Sequence, residues 1–283
     1  MKKTRIGLMA IVSAAALALS ACGAGTEDAG GGTGDSTAGG GATGPLRVGI
    51  KFDQPGLGLQ EGANYTGFDV EVANYIGQQL GRGVQFSEAP TPQRETLLRT
   101  DQVDMIVATY SITDERKQQV SFAGPYLIAG QDLLVRENET AITGPETLEG
   151  KTLCSVRGST PAQRVQKEHP GVQLQEYDTY SNCVEELVNG TVDAVTTDDV
   201  ILAGYAAQPQ FSGKVKLGGN PFSQENLGVG VQKDNEQLCN QVTDALKQMI
   251  DSGAWQQKVD EVFGAAGYKP GPGNPPTPTC QRA

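Results

Sequence analysis

The sequence predicts an α/β protein of two lobes, the second inserted into the first, and three observations carry that expectation. Short β-rich apolar runs alternate with amphipathic segments of helical period between residues 45 and 268. The alternation breaks near 131–150 and then restarts. A folded body of about 225 residues also fits two lobes better than one core. Alternating βα units imply mostly parallel sheets.

Taken in order, residues 46–51 are a β-rich start, and a helix over 67–80 follows. Its Phe68, Val72, Ile76 and Leu80 lie four apart on one face. A strand over 84–86, a helix over 93–100 and a strand over 103–108 come next. Beyond Phe122-Ala123-Gly124-Pro125-Tyr126 an apolar stretch runs through Val135. The rhythm then restarts with a strand over 151–156 and a helix over 161–168 that carries Pro161 at an early position. A strand over 172–176, a helix over 181–189, a strand over 192–197 and a helix over 199–206 continue it. Residues 226–231 return as a strand, and helices over 235–250 and 253–263 close the body.

Two of these strands echo each other: Val103-Asp104-Met105-Ile106-Val107-Ala108-Thr109 and Val192-Asp193-Ala194-Val195-Thr196-Thr197-Asp198. The first opens into Tyr110-Ser111-Ile112-Thr113-Asp114-Glu115-Arg116, a hydroxyl-rich turn ending in a cation. The second ends in carboxylates, Asp198-Asp199. Ligands of open α/β sheets bind beyond the carboxyl ends of strands. An Arg at one end and an Asp at the other suit a zwitterion such as an amino acid.

The ends of the chain speak to location. Lys2, Lys3 and Arg5 precede an apolar run from Ile6 to Ala18, too short to span a membrane comfortably. Leu19-Ser20-Ala21-Cys22 follows and looks like a bacterial lipobox, with Cys22 the lipidated (palmitate-bearing) first residue of the mature chain. Such a chain is anchored rather than spanning, on the extracytoplasmic face of the cell membrane. Ten of the 22 residues over 23–44 are Gly, so no core forms there. A flexible tether with a reach of about 25 Å is expected. The expected organisation is a signal peptide over 1–21, anchor and tether over 22–44, a first lobe from 45–130 and 226–266, a second lobe over 131–225, and a Pro-rich tail over 267–283.

Removing the first 21 residues takes away three cations and no acid, moving the net charge from −11 to −14. That acidity argues against a nucleic-acid partner. With Cys22 assigned to lipid, four cysteines remain, an even number that suggests disulfides in an exported chain. Three pairings are open; Cys154–Cys183, within one lobe, and Cys239–Cys280, stapling the tail to a helix, are favoured. No CxxC pair exists and His169 is the single histidine, so no metal site or cofactor is expected.

Several motifs stand in one order: Leu46-Arg47-Val48-Gly49-Ile50, Tyr65-Thr66-Gly67-Phe68-Asp69-Val70, Ser111-Ile112-Thr113-Asp114-Glu115-Arg116, Gly158-Ser159-Thr160, then Val192-Asp193-Ala194 and Asp198. Over roughly 45–266 the chain resembles the binding proteins of polar amino-acid ABC transporters, family 3 of the solute-binding proteins. Lys51-Phe52-Asp53-Gln54-Pro55-Gly56 most resembles the glutamate-binding lipoproteins of actinobacteria. The resemblance implies a two-lobed, type II periplasmic-binding-protein fold with two hinge strands. It also implies a monomer that traps its ligand by lobe closure and hands it to permease and ATPase subunits.

The same resemblance implies roles. Arg116 pairs bidentately with the ligand α-carboxylate, a geometry that Lys cannot supply. Thr109 and Ser111 add donors, and Ser159 and Thr160 offer backbone N–H groups at a helix N-terminus. Asp198 takes the α-ammonium, although its position also suits an N-cap. Lys51 stands where relatives that bind cationic or amide ligands commonly carry an acceptor, and Arg94 where they are often apolar. Two cations aimed at the distal end favour a second carboxylate: glutamate first, aspartate next, glutamine and asparagine lower. Arg157 and Tyr180 are further candidates for that end. Gln54 replaces an aromatic that often covers the ligand.

Two other readings share this fold or these residues. An exported dehydratase on the same fold needs a general acid or base near the ligand. His169, in Lys167-Glu168-His169-Pro170-Gly171, reads as a surface turn, and no Ser/His or Cys/His pairing is visible, so no enzyme is expected. A sensor subunit for a membrane signalling partner is compatible with every residue named.

Overall fold

The computed structural model describes residues 44–283. The expected signal peptide, Cys22 and all of the tether but Gly44 lie outside the described residues.

Two β-sheets organise the chain. The first has six strands in the order Thr279–Gln281, Val120–Ala129, Glu225–Gln232, Met105–Ser111, Leu46–Ile50 and Val84–Glu88. Leu46, Val48 and Ile50 are fully buried, as are Phe68, Val72 and Ile76 of the helix Phe68–Gln79. That helix and the helices Glu236–Asp251 and Ala254–Phe263 pack together beside the sheet. Phe68 meets Trp255 edge-on with ring centroids 6.0 Å apart. The Trp255 indole N–H donates to the Tyr126 carbonyl at 2.7 Å, so the packed ring also satisfies a strand carbonyl.

The second sheet has five strands in the order Gln173–Tyr177, Thr152–Val156, Ala194–Asp198, Gln131–Arg136 and Val215–Leu217. Helices Thr160–Glu168, Tyr180–Asn189 and Asp199–Ala206 accompany it. All of its strands fall between the outgoing and returning strands of the first sheet, so the second lobe is an insertion.

Both sheets are mixed, which corrects the mostly parallel expectation. Leu46–Ile50 pairs in parallel with its two neighbours, but Glu225–Gln232 runs antiparallel to both of its own. In the second sheet Gln131–Arg136 is likewise antiparallel to Ala194–Asp198 and Val215–Leu217. The cause is the insertion: the chain enters and leaves the second lobe on strands, without the helical crossover that parallel pairing needs. The apolar stretch that runs through Val135 is therefore divided between two strands, Val120–Ala129 in one sheet and Gln131–Arg136 in the other, separated by Gly130. A Cβ on Gly130 would lie 2.6 Å from the Pro221 ring and 2.8 Å from the Ser223 carbonyl oxygen of the returning segment. The two crossovers pass too closely for any side chain there.

Three further elements depart from the sequence expectation. A small sheet of Asp53–Gln54, Gly58–Glu61 and Asn64–Thr66 fills the gap before the first helix. Val215–Leu217 forms an edge of the second sheet. The tail is more than extended chain, since Thr279–Gln281 pairs with Val120–Ala129 as the outer strand of the first sheet.

Both favoured disulfides are formed, Cys154–Cys183 and Cys239–Cys280, each with Cα atoms 5.6 Å apart. The first ties a strand to a helix within the second lobe, and the second ties the tail strand to helix Glu236–Asp251. With separations of 29 and 41 residues, each restricts the unfolded chain by about 3–4 kcal/mol in the chain-entropy picture.

Candidate functional site

Between the lobes lies a small polar cavity. Its first-lobe wall is Gln54, Thr91, Arg94, Thr109, Ser111 and Arg116; its second-lobe wall includes Ser159, Thr160, Tyr180 and Asp198. Thr91, Pro161, Thr197 and Ile201 also line it and were not singled out in the sequence. They neighbour motif residues but carry no charge or pattern of their own.

Local structure sets each charged group. Thr113 caps the short helix Asp114–Lys117 by accepting from the Arg116 N–H at 3.1 Å, which fixes Arg116 one turn beyond strand Met105–Ser111. The Arg116 Nη1 donates to the Ser111 carbonyl at 2.9 Å and Nη2 to the Gly158 carbonyl of the other lobe at 3.3 Å. Neither Asp114 nor Glu115 holds it; Asp114 pairs with Lys117 at 2.8 Å instead. Arg94 opens helix Arg94–Arg99 and is 3% exposed, with its Nε–H unpartnered among the described residues. Burial, reinforced by the Arg116 charge, pulls Arg94 below its ordinary value.

Asp198 is the opposing charge. It occupies the N-cap position of helix Asp199–Ala206, yet its side chain makes no capping bond. Its Oδ1 is buried without a partner among the described residues. Burial, then the Glu225 and Asp199 carboxylates, push Asp198 well above the usual carboxylate range. The adjacent Asp199 is already engaged, accepting from Val200 N–H at 2.8 Å, Gly130 N–H at 3.2 Å and the Tyr268 hydroxyl at 3.1 Å. One cation and one anion thus face the cavity with unsatisfied groups, an arrangement costly to keep unless something fills it.

The strand end between them is strained. Thr109 has φ 45°, unusual for a β-branched residue. Its N–H donates to Asp69 Oδ2 at 3.0 Å and to the Tyr126 hydroxyl oxygen at 3.2 Å, and Tyr126 in turn donates to Asp69 Oδ1 at 2.6 Å. Burial pushes the Asp69 carboxyl up to about 6. A strain of about 1–3 kcal/mol at such a site persists only where its surroundings enforce it. Ser159 caps helix Thr160–Glu168 by accepting from Ala162 N–H at 3.2 Å, so its hydroxyl is committed to the helix.

Two expected contributors stand elsewhere. Lys51 is buried but lies outside the cavity wall, its Nζ 3.3 Å from Asp53 Oδ1. Asp53 reaches across the lobes: its Oδ2 accepts from Tyr180 N–H at 3.1 Å, and its carbonyl accepts from the Tyr205 hydroxyl. Burial pulls Lys51 below its ordinary value although Asp53 opposes the shift. Arg157 points to solvent and pairs with Asp178 at 3.1 Å, because its strand end turns away from the cavity before helix Thr160–Glu168 begins. Lys51 therefore serves a contact between lobes, and Arg157 the surface.

The lobes meet directly around the cavity. Ser111 Oγ and Thr160 Oγ1 are 3.1 Å apart, one from each lobe. Gly204 lies so close to Pro55 that a Cβ would stand 2.0 Å from its carbonyl oxygen. Two α/β lobes meeting around a charged cavity, joined by crossover strands, define a ligand-binding architecture.

The chain belongs to the bacterial extracellular solute-binding proteins, family 3, whose model matches residues 46–265. It is a binding protein and not an enzyme. Among curated relatives it is 45% identical over 276 residues to the glutamate-binding protein GluB of Corynebacterium glutamicum, covering 92% of this chain and 91% of that protein. It is 31% identical over 220 residues to the ABC transporter glutamine-binding protein GlnH of Bacillus subtilis, covering 76% and 78%. An ancestral arginine-binding protein bound to glutamine shares the fold with a TM-score of 0.74 at 34% identity, covering 78% of this chain and 98% of that one. Among the described residues no helix is long and apolar enough to cross a membrane, and no group of three or more His, Cys, Asp or Glu could hold a metal ion.

Proposed function

We propose that this protein captures an acidic amino acid outside the cytoplasm, L-glutamate before aspartate, with glutamine and asparagine lower. Lobe closure then presents the ligand to the permease and ATPase subunits of an ABC importer. The single observation that carries the reading is the opposed pair of buried groups that have no partner among the described residues, Arg94 Nε and Asp198 Oδ1, in one cavity with Arg116. Arg116 takes the α-carboxylate, with Thr109, Ser111 and the N-terminus of helix Thr160–Glu168 beside it. Asp198 takes the α-ammonium, and Arg94 the side-chain carboxylate. Tyr180 and Gln54 complete the walls. The name and coverage of the Corynebacterium relative support glutamate as the ligand. Cys22 supplies a lipid anchor that holds the monomer at the membrane surface.

Titration calorimetry of the purified protein against the amino acids tests this. Glutamate is expected to bind more tightly than glutamine, and glutamine equal or better would overturn the distal-end assignment. Radiolabelled palmitate incorporated into the wild type but not into Cys22→Ser tests the anchor.

A further inference from the structure

Tyr110 sits between two residues of the cavity wall, Thr109 and Ser111, yet does not itself line the cavity. Its ring is the common neighbour of both cations: the guanidinium carbons of Arg94 and Arg116 lie 5.2 Å and 4.9 Å from its centroid. The ring is locked from every side. Its hydroxyl donates to Glu95 Oε1 at 2.6 Å, and that same oxygen is 3.7 Å from Arg116 Nε. Phe122 meets it edge-on at 4.8 Å, and a Cβ on Gly230 would press to 2.8 Å of its Cε1. Tyr110 is fully buried.

Two buried cations converging on one cavity oppose each other, as the effect of Arg116 on Arg94 shows. A protein carboxylate against Arg94 would relieve the repulsion, but it would also occupy the N–H groups a ligand needs. An aromatic face attracts a cation without consuming its hydrogen-bond donors. We infer that Tyr110 is a specificity-determining positioning residue: its ring holds Arg94 and Arg116 side by side without consuming the N–H groups they still offer to two carboxylates. This deepens the acidic-ligand reading and rests on it, since only a dicarboxylate needs both cations at once.

The test is calorimetric titration of the full chain with L-glutamate and L-glutamine. Tyr110→Phe keeps the ring and should keep the wild-type preference. Tyr110→Leu removes it and should cut the preference for glutamate by about thirtyfold, the scale of a desolvated cation–π contact. Because Tyr110→Leu can fail to fold, a second series places phenylalanine, difluorophenylalanine and trifluorophenylalanine at position 110. Fluorination weakens the ring's attraction for cations with little change of shape, so the preference should fall stepwise. An unchanged preference along that series, or in a folded Tyr110→Leu protein, would overturn the inference. A wild type with no preference for glutamate would instead overturn the acidic-ligand reading. The role of the ring at Arg116 would then be read from loss of affinity for the best ligand along the same series, and constant affinity would end it too.

Discussion

The strands Met105–Ser111 and Ala194–Asp198 begin alike and end differently. At the start of each, an aspartate pins the neighbouring strand. Asp104 Oδ2 accepts from Arg47 N–H at 2.9 Å, and Asp193 Oδ2 from Thr152 N–H at 2.9 Å. Each aspartate also faces an arginine, Arg47 at 3.1 Å in the first lobe and Arg136 at 3.5 Å in the second. At the far ends the first strand leads to Arg116, beside Arg94, whereas the second stops at Asp198. The shared part builds the sheet and the divergent part lines the cavity. An echo in sequence thus marks scaffold where it is faithful and site where it breaks.

The largest effects are expected at the divergent ends. Arg116→Ala and Asp198→Ala should each weaken every amino acid by about 3–5 kcal/mol, since removing one member of a buried charge pair strands the other. Calorimetry giving near-native affinity in either variant would refute its role. Arg94→Gln should cost glutamate about 1.5–3 kcal/mol, the scale of a hydrogen bond to a charged group, and leave glutamine nearly unchanged. Equal losses for both ligands would place Arg94 at the α-carboxylate.

A smaller effect follows from protonation. Burial pushes Asp198 up with the lobes in contact, and an ammonium beside it favours its ionised form. Binding should then release protons at pH values between the ordinary carboxylate range and the raised value, and affinity should rise with pH through that window. Calorimetry in buffers of different ionisation enthalpy measures the release, and Asp198→Asn should abolish it. No release in the wild type would mean that Asp198 is already ionised before the ligand arrives.

The smallest effects belong to the shared starts. Asp104→Asn should cost about 1–2 kcal/mol of stability in urea titrations, and Asp193→Asn less, because Asp104 is less exposed and gains a second arginine, Arg82, at 3.5 Å. Burial raises the Asp104 carboxyl, but its bonds to Arg47 outweigh that and hold it below the ordinary range. Its stabilisation is therefore present above the ordinary carboxylate range and lost as pH falls through the depressed value. Neither substitution should change ligand preference, and a change would blur the division between scaffold and site.

The α/β alternation and the insertion were legible because Val48, Ile50, Val72, Ile76 and Val195 sit at strand and helix periods that burial alone dictates. The mixed pairing was not, since periodicity reports which face is buried and says nothing of strand direction. The short strands 53–66 and Thr279–Gln281 escaped because Gly and Pro dominate around them, and tertiary pairing supplies what propensity lacks. Arg94, Arg116 and Asp198 were marked by charge in motif context. Lys51 carried the same mark, but a charge read from sequence does not say which way it points. Tyr110 was hidden for the opposite reason, an aromatic in a strand being an ordinary core residue.

The first sheet takes both Leu46, at the start of the described chain, and Gln281, near its end, while the second lobe owns neither. A pull applied to the described chain at Leu46 is taken up by the first lobe. The second lobe is the jaw that holds neither end of the described chain. A probe joined to Ala283 would ride on the first jaw, so a label on the second sheet is needed to report movement of one jaw against the other.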